Sequence, residues 1–234
     1  MTNTIMVVED DVALRTQMES ALTRAEFNVI SEGDGAKVVD LVKAEQPNVI
    51  LMDIQLPNRN GIELVADIRE FSAVPIIMVT AQSEVESMEK AFAAGADDYF
   101  EKLPWDLDKL LARIKNSLRI QQRTNESLKP KEGDGLLRIG SVTLDVVGHE
   151  VRKNGERVAL TPLEFKLLGT LAATPNKVFS REDLLKDVWD YGYQADTRLV
   201  NVHIQRLRSK IEDDPDNPTI VVTVRGVGYK AGQN

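Results

Sequence analysis

Cysteine is missing from this chain altogether. Its absence excludes disulfides, thiolate metal sites and cysteine nucleophiles. Histidine is nearly missing: His149 and His203 are too few to build a zinc site. Long apolar runs are missing too, since none approaches the ~20 residues of a membrane span. The start, MTNTIMVVEDD, has neither a basic stretch nor a long apolar core. It does not read as a signal peptide, and a cytoplasmic address with no membrane partner is expected. No internal repeat or low-complexity tract stands out.

What is present is the balance of a globular protein, 42% hydrophobic and 28% charged. At 234 residues the chain suits one large domain or two ordinary ones. The net charge of −8 is unevenly spread. Residues 1–123 carry 21 acidic and 13 basic side chains, whereas residues 124–234 carry 16 of each. The neutral half hides a local cluster. From Thr197 to Ile211 stand Arg198, His203, Arg206, Arg208 and Lys210, with no acid among them. A basic patch on one short element is the footprint of nucleic-acid binding.

The first half alternates apolar runs with amphipathic segments. Ile5–Val8, Val29–Ile30, Val49–Met52, Ile76–Val79 and Tyr99–Phe100 read as strands. Helical patterns lie near 11–25, 35–45, 60–70, 84–94 and 106–122. Continuously apolar strands imply burial on both faces. Five strand-then-helix units predict a doubly wound, five-stranded parallel sheet, an α/β domain over 1–120. Residues 121–135 lose all periodicity and read as a flexible linker.

Residues 136–234 read as an α+β domain. Asn154-Gly155 between alternating residues signals a hairpin. Thr161-Pro162-Leu163-Glu164 combines a cap, a first-turn proline and a capping-box acid. Ser180-Arg181-Glu182-Asp183 repeats the capping pattern, a third helix spans about 196–212, and a last hairpin turns at Arg225-Gly226.

The stretch 49–61, VILMDIQLPNRNG, places Asp53 where a buried strand should end. A buried charge is costly unless paired or bound. It has company at the other strand ends: Glu9-Asp10-Asp11, Thr80-Ala81 and Glu101-Lys102. In a parallel sheet these ends share one edge, which is where ligands bind. Clustered carboxylates suit a hard cation such as Mg²⁺. A carboxylate also serves as a nucleophile toward phosphorus, giving an aspartyl phosphate. A plainer alternative is that Asp10 or Asp11 caps the first helix and Asp53 holds the following turn.

The third helix has Val200, Ile204, Leu207 and Ile211 on one stripe at 100° per residue. Arg198, Val202, Gln205 and Ser209 fall opposite, flanked by Asn201 and Arg206. Such a face carries the side chains that read base edges in a major groove. Arg225, on a glycine-bordered turn, suits a narrow minor groove. His203 lies at the edge of the apolar stripe, where a structural histidine is the competing reading.

The motifs VVEDD, LMDIQLPNRNG, VTA and ADDYFEKLPW resemble the receiver domain of two-component response regulators. The resemblance implies a flavodoxin-like fold with Asp53 as phospho-acceptor. It implies Mg²⁺ held by Glu9, Asp10, Asp53 and the Gln55 carbonyl, with Thr80 and Lys102 on the phosphoryl group. Thr80 and Tyr99 become the switch residues. Apart from phosphoryl transfer to its own Asp53 and its hydrolysis, no enzymatic activity is implied. The family commonly pairs through its fourth helix, fifth strand and fifth helix, where Asp97, Asp98, Arg113 and Arg119 could supply charge pairs. One departure is plain: Leu103 stands between Lys102 and Pro104, where the family has lysine followed directly by proline. That insertion is the only support for an alternative, a DNA-binding regulator whose receiver works without phosphorylation.

LTPLEFKLL, SREDLLKDVW, ADTRLVNVHIQRLRSKIE and TVRGVGYK resemble the winged-helix domain of the OmpR/PhoB subfamily, most closely its actinobacterial MtrA-type branch. DNA contacts then fall to Arg198, Asn201, His203, Gln205, Arg206 and Arg208 of the recognition helix, and to Thr223, Arg225 and Tyr229 of the wing. The loop 190–196 sits where the family meets RNA polymerase. The expected protein is a transcriptional regulator phosphorylated by a sensor histidine kinase, pairing on phosphorylation and binding repeated half-sites in double-stranded DNA.

Overall fold

A computed structural model describes residues 2–81, 85–102, 105–123, 135–189 and 197–232. The chain divides into two compact units, Met1–Leu118 and Arg119–Asn234.

In the first unit, five strands alternate with five helices, the last of which runs on past Leu118. They are β1 (Thr4–Val8), α1 (Val12–Arg24), β2 (Asn28–Glu32), α2 (Gly35–Glu45), β3 (Val49–Met52), α3 (Gly61–Arg69), β4 (Ile76–Thr80), α4 (Val85–Ala94), β5 (Asp98–Glu101) and α5 (Leu107–Arg123). All strand pairs are parallel, in the order β2-β1-β3-β4-β5. This is the doubly wound arrangement expected from the alternation of apolar runs and amphipathic segments. β3 and β4 are buried at every position, as strands covered on both faces must be. Successive strand residues point to opposite faces. Ile5, Val7, Leu51, Ile77 and Val79 therefore share one face, and they pack with Met18 and Leu22 of α1 and Leu110, Ile114 and Leu118 of α5. The helices α2, α3 and α4 follow one another in a row.

In the second unit, β6 (Leu136–Ile139), β7 (Val142–Asp145), β8 (Glu150–Lys153) and β9 (Glu156–Val158) form an antiparallel meander. Asn154 and Gly155 both take positive φ at the β8–β9 turn, as a tight hairpin requires. Three helices follow, α6 (Pro162–Ala172), α7 (Arg181–Trp189) and α8 (Arg198–Ile211), then the hairpin β10 (Val221–Val224) and β11 (Gly228–Ala231). Both predicted capping boxes are formed. Thr161 and Glu164 bond reciprocally at the start of α6. Ser180 and Asp183 do the same at α7.

The linker expectation needs correcting at both ends. α5 continues to Arg123, so residues 121–123 are helical. Gly135 already belongs to the second unit, accepting a hydrogen bond from Val146 N–H at 2.9 Å. The remaining linker residues, 124–134, lie outside the described residues, as do Leu103, Pro104 and the loop 190–196.

Candidate functional site

Strand register gathers the acidic pocket. Val8 lies opposite Met52 in the sheet, and Met52 opposite Met78. The chain leaves the sheet at one edge. There Asp53 N–H donates to Val8 O at 2.9 Å, and Lys102 N–H to Thr80 O at 2.8 Å. Glu9, Asp53, Thr80 and Lys102 thus stand at neighbouring strand ends, as the sequence predicts. Glu9 is 1% exposed and Asp53 5%.

Lys102 decides the electrostatics. Its Nζ donates to Asp53 Oδ2 at 2.7 Å and to Glu9 Oε1 at 2.9 Å. The other Asp53 oxygen, Oδ1, accepts from Ile54 N–H at 2.6 Å. Burial above all pushes the Glu9 carboxyl above the ordinary carboxylate value. The Asp53 charge adds to that rise, while the Lys102 ammonium opposes it. On Lys102, burial works against the charge, but Asp53 and Glu9 together outweigh it and raise its pKa above the ordinary lysine value. Leu103 therefore does not keep the ammonium from Asp53.

Glu9, Asp10 and Asp53 each offer a carboxylate oxygen, all within 4.8 Å of one another. Three hard oxygen donors on one strand edge fit Mg²⁺. The capping alternative holds for Asp11, whose side chain accepts from Leu14 N–H at 2.9 Å to start α1. For Asp53 the turn-holding alternative accounts for one oxygen only: Oδ1 bonds the Ile54 N–H at the start of the turn, while Oδ2 meets Lys102 and α3 is capped by Asn60. Gln55 is exposed two residues past Asp53, and Tyr99 is buried in β5.

Two supporting residues escaped the sequence reading. Gly61 N–H donates to Ile54 O at 2.8 Å, and a Cβ on Gly61 would stand 1.9 Å from Asp53 O. Glycine is what lets α3 begin directly behind the Asp53 backbone. Arg15 reaches back from α1 to the Glu9 and Asp10 carbonyls. Neither close approach has a sequence signal beyond the turn-like PNRNG.

The expected charge pairs for pairing of receivers need correcting. Asp97 is buried and bound at 2.6 Å to Arg69, and it also accepts from Ile76 N–H at 2.9 Å. Asp98 is buried and accepts from Arg113 at 2.7 and 2.8 Å and from Tyr99 N–H at 2.8 Å. Both acids are engaged inside the first unit. Arg119 lies half-buried in α5.

The second unit presents a different surface. On α8, Arg198, Asn201, Gln205 and Ser209 are exposed, while Leu199, Val200, Ile204, Leu207 and Ile211 are buried. Four of the proposed DNA contacts are corrected by burial. His203 is fully buried, its ring tilted against that of Trp189 at 5.3 Å between centroids. Arg208 is 8% exposed and donates to Val221 O at 2.9 and 2.7 Å and to Thr223 Oγ1 at 2.7 Å. Burial lowers its pKa from the ordinary arginine value. The Arg206 guanidinium turns inward to the buried Glu164 at 3.0 Å. Tyr229 is buried and donates its hydroxyl to Asn201 Oδ1. Arg225 is exposed at the hairpin turn, where Gly226 takes φ 76°, and Thr223 is exposed on β10.

Two family models match the chain: the response regulator receiver domain over residues 5–115, and the transcriptional regulatory protein C-terminal domain over residues 155–231. The DNA-binding response regulator MtrA of Mycobacterium tuberculosis is 45% identical over 232 residues, 99% of this chain and 98% of that one. The chain belongs to the OmpR/PhoB family of DNA-binding response regulators, and within it to the MtrA type. Among solved structures, DrrB of Thermotoga maritima, an OmpR/PhoB homologue, is 33% identical and matches at TM-score 0.50, covering 99% of this chain and 100% of that one. A cysteine-to-serine mutant of RitR is 26% identical over the same shares and matches at TM-score 0.81. The acidic pocket lies in the receiver, and the exposed α8 face lies in the DNA-binding domain. No helix among the described residues is long and apolar enough to cross a membrane.

Proposed function

We propose that this regulator is switched by phosphorylation of Asp53 and then binds repeated DNA half-sites. The observation that carries the reading is the Lys102 ammonium at 2.7 Å from Asp53, inside a pocket that also holds Glu9 and Asp10. A sensor histidine kinase supplies the phosphoryl group. One Asp53 oxygen attacks phosphorus; the O–P bond forms as the N–P bond of the donor phosphohistidine breaks. The departing imidazole takes a proton from solvent. Lys102 offsets the charge gathering on the transferred group, and Thr80, at the same sheet edge, offers a hydroxyl to it. Such transfer depends mostly on positioning and charge neutralisation. Glu9, Asp10, Asp53 and the Gln55 carbonyl would hold Mg²⁺, which would supply further positive charge beside Asp53. Later hydrolysis at the same site resets the switch, and this self-directed chemistry is the extent of its catalysis.

Phosphorylation shifts Thr80 and Tyr99 and favours pairing of two receivers across α4, β5 and α5. Pairing raises the effective concentration of the second DNA-binding domain without new base contacts. Arg198, Gln205 and Asn201 face the major groove, and Arg225 and Thr223 approach from the wing. The loop 190–196 contacts RNA polymerase, a role resting on family resemblance. The Lys102–Asp53 contact favours this reading over a receiver that ignores phosphate.

The test is intact mass after treatment with a small phosphodonor and Mg²⁺. One phosphoryl group adds to the wild-type chain and none to Asp53→Asn. Equal modification of the variant contradicts the assignment.

A further inference from the structure

The exposed face of α8 carries one amide whose hydrogen bonds are half spent. Asn201 Oδ1 accepts from Arg181 Nε at 2.7 Å and from the Tyr229 hydroxyl at 2.8 Å. A guanidinium cannot accept, so the amide atom facing Arg181 is the oxygen and not the nitrogen. An amide oxygen has two lone pairs, and both are taken. What Asn201 has left for a ligand is its Nδ2 group, with two N–H donors and no acceptor.

The groups that hold it are themselves held. Tyr229 is 6% exposed, and its backbone pairs with Phe179, accepting at 2.8 Å and donating at 2.9 Å. The guanidinium carbons of Arg181 and Arg208 lie 5.4 and 5.6 Å from its ring centroid, within cation–π range. Arg208 is anchored in turn on Val221 O and Thr223 Oγ1. The Asn201 amide is thus fixed from α7 on one side and from the β10–β11 hairpin on the other.

This fixing changes what the side chain can read. A free asparagine pairs with adenine by accepting from N6 while donating to N7. Here the accepting half is occupied, and adenine N6 has nothing to meet. Adenine keeps N7 as an acceptor but sets its N6 donor beside it unmet, whereas guanine offers two neighbouring acceptors, N7 and O6, and thymine offers O4 with no donor of its own beside it. We propose that Asn201 is a specificity-determining residue that selects an acceptor edge, guanine or thymine, over adenine and cytosine. Arg181 and Tyr229 are the positioning residues that impose this choice. The inference rests on the DNA-binding reading above and deepens it.

The experiment is selection of binding sequences from a random duplex pool by the full chain treated with phosphodonor and Mg²⁺. Asn201→Ala identifies the base position concerned, as the one whose preference it abolishes. Wild type selects guanine or thymine there. Tyr229→Phe keeps the ring but frees one lone pair of Oδ1. Its discrimination against adenine falls about tenfold at that position, with the other positions unmoved. Asn201→Asp keeps an oxygen for Arg181 and Tyr229 and replaces the presented donor with an acceptor, so its preference moves to cytosine. Wild-type selection of adenine at that position overturns the inference. So does an Asn201→Ala variant that changes no position, or an Asn201→Asp variant that still selects guanine. If wild type enriches no sequence at all, the DNA-binding reading fails first and this inference with it.

Discussion

Lys102 sits between two carboxylates, and that placement decides what happens when it is removed. Without the ammonium, Asp53 must take on a phosphoryl group beside the uncompensated charge of Glu9. Lys102→Ala is expected to slow phosphorylation of Asp53 on the order of a hundredfold, the usual cost of losing one preorganised charge partner. The initial rate of mass gain from a small phosphodonor measures it. His149 gives a pH dependence. Its ring packs 4.9 Å from Phe165, and burial lowers its pKa below the ordinary value, with Asp145 opposing. The unfolded chain therefore binds this proton more readily than the folded one. Stability from this group is complete above about pH 6.5 and is lost as pH falls below it. His149→Asn tolerates the positive φ of 54° and removes the titration. Its urea midpoint should fall less than that of wild type between pH 7 and 5.5, read from Trp189 in a Trp105→Phe background. At this scale Asp53 was legible, because a charge ending a buried run demands a reason. The burial of His203 was legible only as the competing reading, and that of Arg208 was not legible at all. Each depends on what other segments bring, Trp189 for one and the Val221 carbonyl for the other.

Elements followed their periodicity closely. The helix expected at 35–45 is α2 with the same bounds, and the third helix of the second domain is α8, two residues inside its expected start. Caps and turns were legible because their residues act locally. What α8 rests on was not. Glu164 of α6 is fully buried beneath it, bound to Lys210 at 2.7 Å and Arg206 at 3.0 Å while its backbone and side chain complete the cap of α6. Lys210 lies 46 residues further along the chain, so no window of sequence shows the pair. The run from Thr197 to Ile211 read as free of acid because its acid is supplied by another helix. Glu164→Ala removes the side-chain half of the capping box, the bond from Thr161 N–H, and leaves two cations facing a void. It is expected to destabilise the DNA-binding domain by about 3–5 kcal/mol. Denaturant unfolding followed through Trp189 measures the loss, and a change below about 1 kcal/mol means the cluster is merely a solvated surface pair.

The two domains fit one device when taken together. The receiver is acidic and gathers Glu9, Asp10 and Asp53 at one sheet edge, and the second domain presents an exposed helix face without an acid of its own. Family membership covers both. The partner kinase and operator were never legible, since nothing in one chain records the surface of another molecule. The central claim is that modification of Asp53 controls DNA binding. The measurement that tests it most directly is affinity for a selected duplex with two half-sites, with and without phosphodonor and Mg²⁺, alongside Asp53→Ala. A rise in affinity with phosphodonor, accompanied by dimer formation and absent in Asp53→Ala, is the predicted result. Equal and sequence-specific binding by treated, untreated and Asp53→Ala protein would contradict it.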